Sequence, residues 1–337
     1  MKSALHSQAP TRVDLAGGTL DIWPLYLFHH NSQTINFAIN CYARCRLTPR
    51  RGGAIELVSR DLGHSEAFPS FEALARAKKF RLPLLARLVM AFAPQGGFTL
   101  ETASESPAGA GLGGSSALNI AVCGVLAPFA GFKPTLPKLI EITRNVEAQV
   151  LGVPTGEQDY YSAMMGGIQA IHLTPLGVLP QRLAVKQREL NSRFVLCYTG
   201  ESRNSGINNW EVMKAHLDGK RPVIRQFDRI AEIAVEMREA LEAGDWDAVA
   251  ELVNLDWKSR KRNHPGIATP RIERLISVAR RHGAVAAKAC GAGGGGCVLF
   301  LVDPEAKANV EAALREQGAR LLSYQVSSTG LQVRGDA

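Results

Sequence analysis

No CxxC pair occurs among the six cysteines (Cys41, Cys45, Cys123, Cys197, Cys290 and Cys297), which argues against a metal or disulfide framework. The cysteines lie mostly inside apolar runs, where a free thiol acts as a small hydrophobe, so a reducing cytoplasm is the expected compartment. Nowhere do eighteen apolar residues run together without charge, and residues 1–10 hold one Lys and no apolar h-region. Neither membrane insertion nor secretion is therefore expected. There is no Walker A sequence G-x-x-x-x-G-K-[ST], no internal repeat, no low-complexity tail and no Arg/Lys stripe interleaved with aromatics. The last absence leaves no footprint for nucleic acid.

What remains is an ordinary globular composition, 46% hydrophobic and 21% charged, over 337 residues, more than one core usually supports, so two domains are expected. The net charge of +8 is diffuse except at Lys258, Arg260, Lys261 and Arg262. Such an excess suits an enzyme of anionic substrates as well as it suits a polyanion binder.

Residues 33–48 alternate as a strand, residues 54–58 and 98–103 read as further strands, and residues 71–92 carry helical spacing interrupted by Pro83. Apolar runs predict helices at 117–129, and amphipathic spacing at 134–151, followed by a loop at 152–160. Strands at 168–173 and 194–198 flank the stretch 174–192, where a domain boundary is placed: 1–182 and 183–337. The second part reads as helices at 223–242, 246–261 and 269–282, a strand at 284–288, a Gly-rich turn, a strand at 297–302, a helix at 305–317 and a strand at 320–326. The pattern is α+β.

The most informative segment is Ser106-Pro107-Ala108-Gly109-Ala110-Gly111-Leu112-Gly113-Gly114-Ser115-Ser116-Ala117, set between a strand and a helix. Glycines let backbone N–H groups converge on phosphate oxygens, and the helix N-terminus adds its positive end. The competing description is a plain Gly-rich turn capped by Ser115 or Ser116. Gly109–Gly114 also fits G-x-G-x-x-G, but a dinucleotide fingerprint follows its strand at once and meets an acid about 20 residues on. Here a polar loop intervenes and helices follow. Gly291–Gly296 fits the same spacing but precedes a strand rather than a helix.

Pro107–Ala117 resembles the second motif of the GHMP kinases, P-x-x-x-G-L-G-S-S-A, with Gly114 where many members have Ser. Residues 9–21 (APTRVDLAGGTLD) and 288–298 (KACGAGGGGCV) resemble the family's first and third motifs, in order. The resemblance implies a two-domain α+β fold, with a ribosomal-protein-S5-like N-terminal domain, a ferredoxin-like C-terminal domain, and ATP and substrate between them.

It also implies site residues. The phosphate cradle falls on Pro107, Gly109, Ala110, Gly111, Leu112, Gly113, Gly114, Ser115 and Ser116. Mg²⁺ ligands fall on Ser115 and Glu147, the catalytic aspartate on Asp159 and its cationic partner on Arg12. Substrate contacts fall on Gly18, Thr19, Asp21, Asp159, Gly293 and Gly294. Gly17-Gly18-Thr19-Leu20-Asp21 lacks the Glu and His of galactokinase and looks closer to kinases of heptose 7-phosphate and of fucose, which phosphorylate the anomeric hydroxyl. The expected partner is a sugar or sugar phosphate, with Lys258–Arg262 a candidate anchor for a substrate phosphate. A mevalonate-pathway kinase or decarboxylase is the alternative within the superfamily, and the oligomeric state is open.

Overall fold

The structure is a computed structural model in which residues 3–201 and 205–336 are described, residues 205–208 by their backbone alone. Strand β1 (Leu5–Ala16) leads through a 3-10 turn (Leu25–Phe28) to the long β2 (Gln33–Arg50), β3 (Ile55–Ser59) and β4 (His64–Phe68). Then come α1 (Phe71–Arg76), α2 (Pro83–Phe92), β5 (Gly97–Ser104), α3 (Gly114–Phe129), α4 (Leu136–Leu151), α5 (Gln158–Met165), β6 (Ile168–Thr174) and β7 (Gly177–Arg182). Past α6 (Gln187–Arg193) follow β8 (Phe194–Tyr198), α7 (Ser205–Leu217), α8 (Arg221–Ala243), α9 (Trp246–Asn263) and α10 (Pro270–Arg281). The chain finishes with β9 (Ala284–Ala289), β10 (Cys297–Val302), α11 (Lys307–Glu316), β11 (Arg320–Leu321) and β12 (Gln332–Gly335).

Two sheets result. In the first, the order is β12-β1-β2-β5-β3-β4, and the length of β2 lets one strand serve two neighbours on the same side. Residues 33–37 pair with β6 and residues 43–50 with β5, while β1 runs along the other edge of β2. The β3–β5 pair is parallel, with α1 and α2 in the crossover. Helix α3 packs on β1 and β2, and α2, α4 and α5 pack around it. Twelve of its residues are buried, as expected of a helix apolar on all faces.

The second sheet has the order β11-β8-β10-β9 with antiparallel pairing throughout. Numbered within this unit, the order is fourth, first, third, second, the ferredoxin-like arrangement. The continuous apolar run of β10 is buried along its whole length. A hydrophobic cluster joins Val13, Leu15, Ile35 and Phe37 of the first sheet to Phe194, Leu196, Leu299 and Ile233, so the two sheets share a core and the cleft between them is fixed by packing.

Local chemistry explains most boundaries. Pro83 is the first residue of α2, so residues 71–92 form two helices rather than one kinked helix. Gly244 in the left-handed region ends α8, and the Asp245 side chain caps α9 by accepting from the Ala248 amide at 3.0 Å. The strand expected at 320–326 is only two residues long, followed later by a single bridge of Val326 to Ile39. The stretch 174–192 holds β7 and α6.

Candidate active site

The glycine-rich segment leaves β5 and enters α3 with Gly113, at φ +70°, as the flanking residue. A Cβ at Gly113 would lie 3.0 Å from Cγ of Asp159, so only glycine lets the helix start against that carboxylate. Neither Ser115 nor Ser116 caps the helix. The N-terminus of this 16-residue helix, with its unpaired amides, opens on a cleft of about 400 Å³. Pro107, Gly109, Ala110, Gly111, Gly113, Gly114 and Ser115 line the cleft, whereas Leu112 and Ser116 are buried behind it. Leu62, Leu84 and Leu118 add apolar surface to the same cleft.

Both serine hydroxyls turn to Glu147 on α4. Ser115 Oγ donates to Oε1 at 2.5 Å; Ser116 Oγ, Asn119 Nδ2 and Tyr160 OH donate to Oε2 at 2.9, 2.9 and 2.7 Å. Glu147 is 2% exposed. Burial raises its proton affinity despite these four donors, and among the described residues it has no cationic ion-pair partner. A buried carboxylate with neutral partners beside an exposed serine hydroxyl is a donor set that suits Mg²⁺. No cluster of three or more His, Cys, Asp or Glu side chains able to hold a metal occurs among the described residues, so such an ion would complete its shell with phosphate oxygens and water.

Asp159 lies in the first turn of α5, not in the loop expected at 152–160. Arg12, from β1, donates through Nε to Asp159 Oδ1 at 2.8 Å, and its Nη2 lies 2.6 Å from the same oxygen. Nη1 donates to the Gly111 carbonyl at 2.6 Å, which ties the Asp159 partner to the cradle. The Asp159 side chain is 23% exposed and lines the cleft.

Behind this pair lies a charge cluster absent from the sequence expectations. Asp14 Oδ2 accepts from Lys288 Nζ at 3.0 Å and Arg260 Nη1 at 3.3 Å, and Oδ1 accepts from the Gly291 amide at 3.0 Å. Lys288 also pairs with Asp256 at 2.6 Å, and Arg260 donates to the Gly291 carbonyl. All four charged side chains are buried. Burial pushes the Asp14 carboxyl up, but Lys288, Arg260 and Arg12 outweigh it and hold the group well below the usual carboxylate range. Part of the signal was present: Lys288 is a lone charge in an otherwise apolar strand, which is where a buried ion-pair partner is to be expected.

The third glycine-rich motif packs on the cradle through the Cys297 amide, which donates to the Ala110 carbonyl at 2.8 Å. Gly291 and Ala292 line the cleft. Gly293 and Gly294 lie behind them against Ile267, whose carbonyl accepts from the Gly294 amide at 2.7 Å. Of the basic run on α9, Arg260 turns inward to Asp14 and Lys261 pairs with Glu273 at 3.0 Å; Lys258 and Arg262 are exposed, and none of the four lines the cleft.

Gly18 is buried against Asp14, and Thr19 and Asp21 line the cleft. Asp21 accepts from the Gln158 amide at 2.9 Å, and Gly156 leaves room for it, since a Cβ there would lie 2.2 Å from Oδ2. Burial pushes the Asp21 carboxyl up to about 7, against the pull of the Gln158 amide. Thr19 has φ +77°, an outlier for a β-branched residue, and its hydroxyl donates to Asn209 Oδ1 at 3.1 Å. Asn209, on α7, also lines the cleft and carried no signal in the sequence.

A cleft that offers backbone donors to an oligophosphate at one wall and a carboxylate to a hydroxyl at another is built for phosphoryl transfer to an alcohol. Comparison with known proteins gives the same class. The family models described as GHMP kinases N terminal domain and GHMP kinases C terminal match residues 76–167 and 237–320, just over half the chain between them. The chain belongs to the GHMP kinases, ATP-dependent small-molecule kinases. The D-glycero-alpha-D-manno-heptose 7-phosphate kinase of Campylobacter jejuni is 29% identical, over 97% of this chain and 98% of its own. The L-fucokinase/L-fucose-1-P guanylyltransferase of Bacteroides fragilis is 26% identical over 97% of this chain and 38% of its own. A solved D-glycero-D-manno-heptose 1-phosphate kinase from Bacteroides thetaiotaomicron shares the fold, with a TM-score of 0.80 over 99% of both chains at 23% identity. Among the described residues no helix is long and apolar enough to cross a membrane.

Proposed function

We propose that the protein transfers the γ-phosphoryl group of ATP to the anomeric hydroxyl of a sugar phosphate, D-glycero-D-manno-heptose 7-phosphate being the best candidate. The observation that carries this is the Arg12–Asp159 pair at the mouth of the cradle, with both arginine contacts on Oδ1. Oδ2, near Gly113, is then the oxygen that accepts the proton of the attacking hydroxyl, while Arg12 holds the carboxylate in place. The amides of residues 114–116 and the glycines before them bind the phosphates, and Leu62, Leu84 and Leu118 offer apolar surface to the base. Ser115 and Glu147 would hold Mg²⁺, which would supply positive charge against the phosphates. Asp21, whose carboxyl burial raises to about 7, can in its protonated form donate a hydrogen bond to a sugar oxygen.

The substrate rests on the 29% identical heptose 7-phosphate kinase, which aligns end to end, and on the Gly-Gly-Thr-Leu-Asp stretch. One observation favours a neutral sugar such as fucose as the second candidate: Arg260 and Lys261 of the basic run are already paired, and the run lies outside the cleft. The test is ADP release with Mg²⁺ and ATP over heptose 7-phosphate, fucose and mevalonate. A kcat/KM highest for heptose 7-phosphate is expected; a higher value for fucose or mevalonate overturns the assignment.

A further inference from the structure

We infer that Asn209 on α7 contacts the phosphoryl acceptor directly and sets its specificity, and that His216, two turns along the same helix, is the positioning residue that holds it there. The inference rests on the proposed sugar-kinase activity. Asn209, Val212, Met213 and His216 follow i, i+3, i+4, i+7 and so form one stripe of α7. Val212, Met213 and His216 are 2%, 6% and 6% exposed, and the first two pack in one cluster with Leu20, Ile22, Leu25 and Tyr26. Asn209 meets Thr19 at one end of the stripe and His216 meets Phe28 and His29 at the other, so the stripe holds α7 against the segment that bears Thr19 and Asp21, and its first member is the one that reaches the cleft.

Thr19 is held at φ +77° with its hydroxyl on Asn209 Oδ1. A β-branched residue in that region is strained and persists where surrounding contacts impose it, typically at a functional site. Together the two residues bring an amide and a hydroxyl to a cleft wall opposite no charge of their own, which is the chemistry that reads sugar hydroxyls.

At the far end of the stripe, His216 Nε2 lies 2.9 Å from His29 Nε2, and His29 Nδ1 lies 2.7 Å from Asp228 Oδ1. Only one proton arrangement satisfies all three groups. His29 Nδ1–H donates to Asp228, His29 Nε2 accepts from His216 Nε2–H, and His216 Nδ1 stays bare, in agreement with its burial without a partner. An additional proton on the pair places either two N–H groups face to face or a donor on His216 Nδ1 with no acceptor. The charged or titratable groups acting on His216 are His29 and Asp228, and the rings of Phe28 and Phe227 enclose it. Burial first, then His29, lowers the His216 imidazole below its usual 6.5, against Asp228. A lowered folded-state value means the contact is intact above about 6.5 and weakens as pH falls below it.

The experiment measures kcat/KM of wild type and Asn209→Ala with heptose 7-phosphate, fucose and the monodeoxy analogues of whichever is turned over. Asn209→Ala is expected to lose about tenfold in kcat/KM for the sugar, the size of one hydrogen bond, with KM for ATP unchanged. For one analogue the penalty seen in wild type should vanish in Asn209→Ala, because the partner of the missing hydroxyl is already gone. If every analogue is penalised equally in both proteins, Asn209 makes no contact and the inference fails. If wild type turns over neither sugar, it is the functional assignment that fails. For the anchor, the ratio of sugar KM at pH 5.5 to that at pH 8 should exceed the ratio in His216→Gln, which keeps a donor at the Nε2 position but cannot titrate. Ionisation of the substrate phosphate is common to both proteins and cancels. Should His216→Gln not fold, Asp228→Asn, at a half-exposed position, is expected to move the rise to lower pH. Equal ratios, or an unmoved rise, overturn the positioning role.

Discussion

Gly113 and Gly152 offer a matched pair of substitutions that separates backbone strain from damage to the site. Both sit at φ +70°, each beside the end of a 16-residue helix, but a Cβ at Gly152 meets nothing within 4 Å whereas one at Gly113 meets Asp159 Cγ at 3.0 Å, Oδ2 at 3.1 Å and Cβ at 3.2 Å. Alanine in the left-handed region costs about 1–2 kcal/mol at either place. Gly152→Ala should therefore lower the thermal midpoint by a few degrees and leave kcat alone. Gly113→Ala carries the same strain and must also push Asp159 away by roughly half an ångström to restore ordinary contact; as a misplacement of about 1 Å costs about a hundredfold in rate, about tenfold in kcat is expected. The assays are thermal unfolding and steady-state ADP release at saturating ATP and acceptor. Equal kcat in the two variants would refute the claim that the Gly113–Asp159 approach sets the geometry of transfer.

Asp159→Asn keeps the side-chain shape but removes both the charge and the proton acceptor, so it should bind ATP normally by calorimetry and lose most turnover; near wild-type turnover would refute the role. Asp21, raised to about 7 in the fold from 3.8, binds protons more tightly folded than unfolded, so stability from this group is present at acid pH and is lost as pH rises through about 7. Asp21→Asn should accordingly gain on wild type in thermal midpoint between pH 4 and pH 8, and a constant difference over that range would count against it. Asp14→Ala leaves Lys288 and Arg260 buried without their shared carboxylate and should cost about 3–5 kcal/mol in denaturant unfolding. A loss below about 1 kcal/mol would mean that the cluster is solvated.

Elements with strong periodicity or caps were legible in the sequence: β2, α4, α8 and α9 fall within a few residues of their expected ends because Pro and Gly punctuate them. The resemblance to the GHMP kinases also pointed to residues that meet only in three dimensions, such as Ser115 and Glu147 at 2.5 Å and Arg12 and Asp159 across 147 positions. The helical start at Gln158 escaped because nothing local caps it: the Asp21 carboxylate, 137 positions away, accepts from the Gln158 amide instead. Helix α7 escaped because its buried stripe is short and ends in a histidine whose partners lie on other elements. The inward turn of Arg260 was invisible for a similar reason, since a basic run at a helix C-terminus looks solvated until Asp14 is brought beneath it.

Strand β12 pairs with β1 from Leu5↔Gly335 to Gln8↔Gln332, and Gln8 and Gln332 are 324 positions apart. A ribosome adding about 5–20 residues per second needs roughly 16 to 65 s to traverse that distance. Throughout that interval the outer edge of β1 at residues 5–8 lacks its neighbour, and an open strand edge is a template for pairing with another nascent chain. Synthesis rate and chaperone supply should therefore govern the yield of this enzyme more than its final stability does, and slowing translation near residue 330 should raise the aggregated fraction.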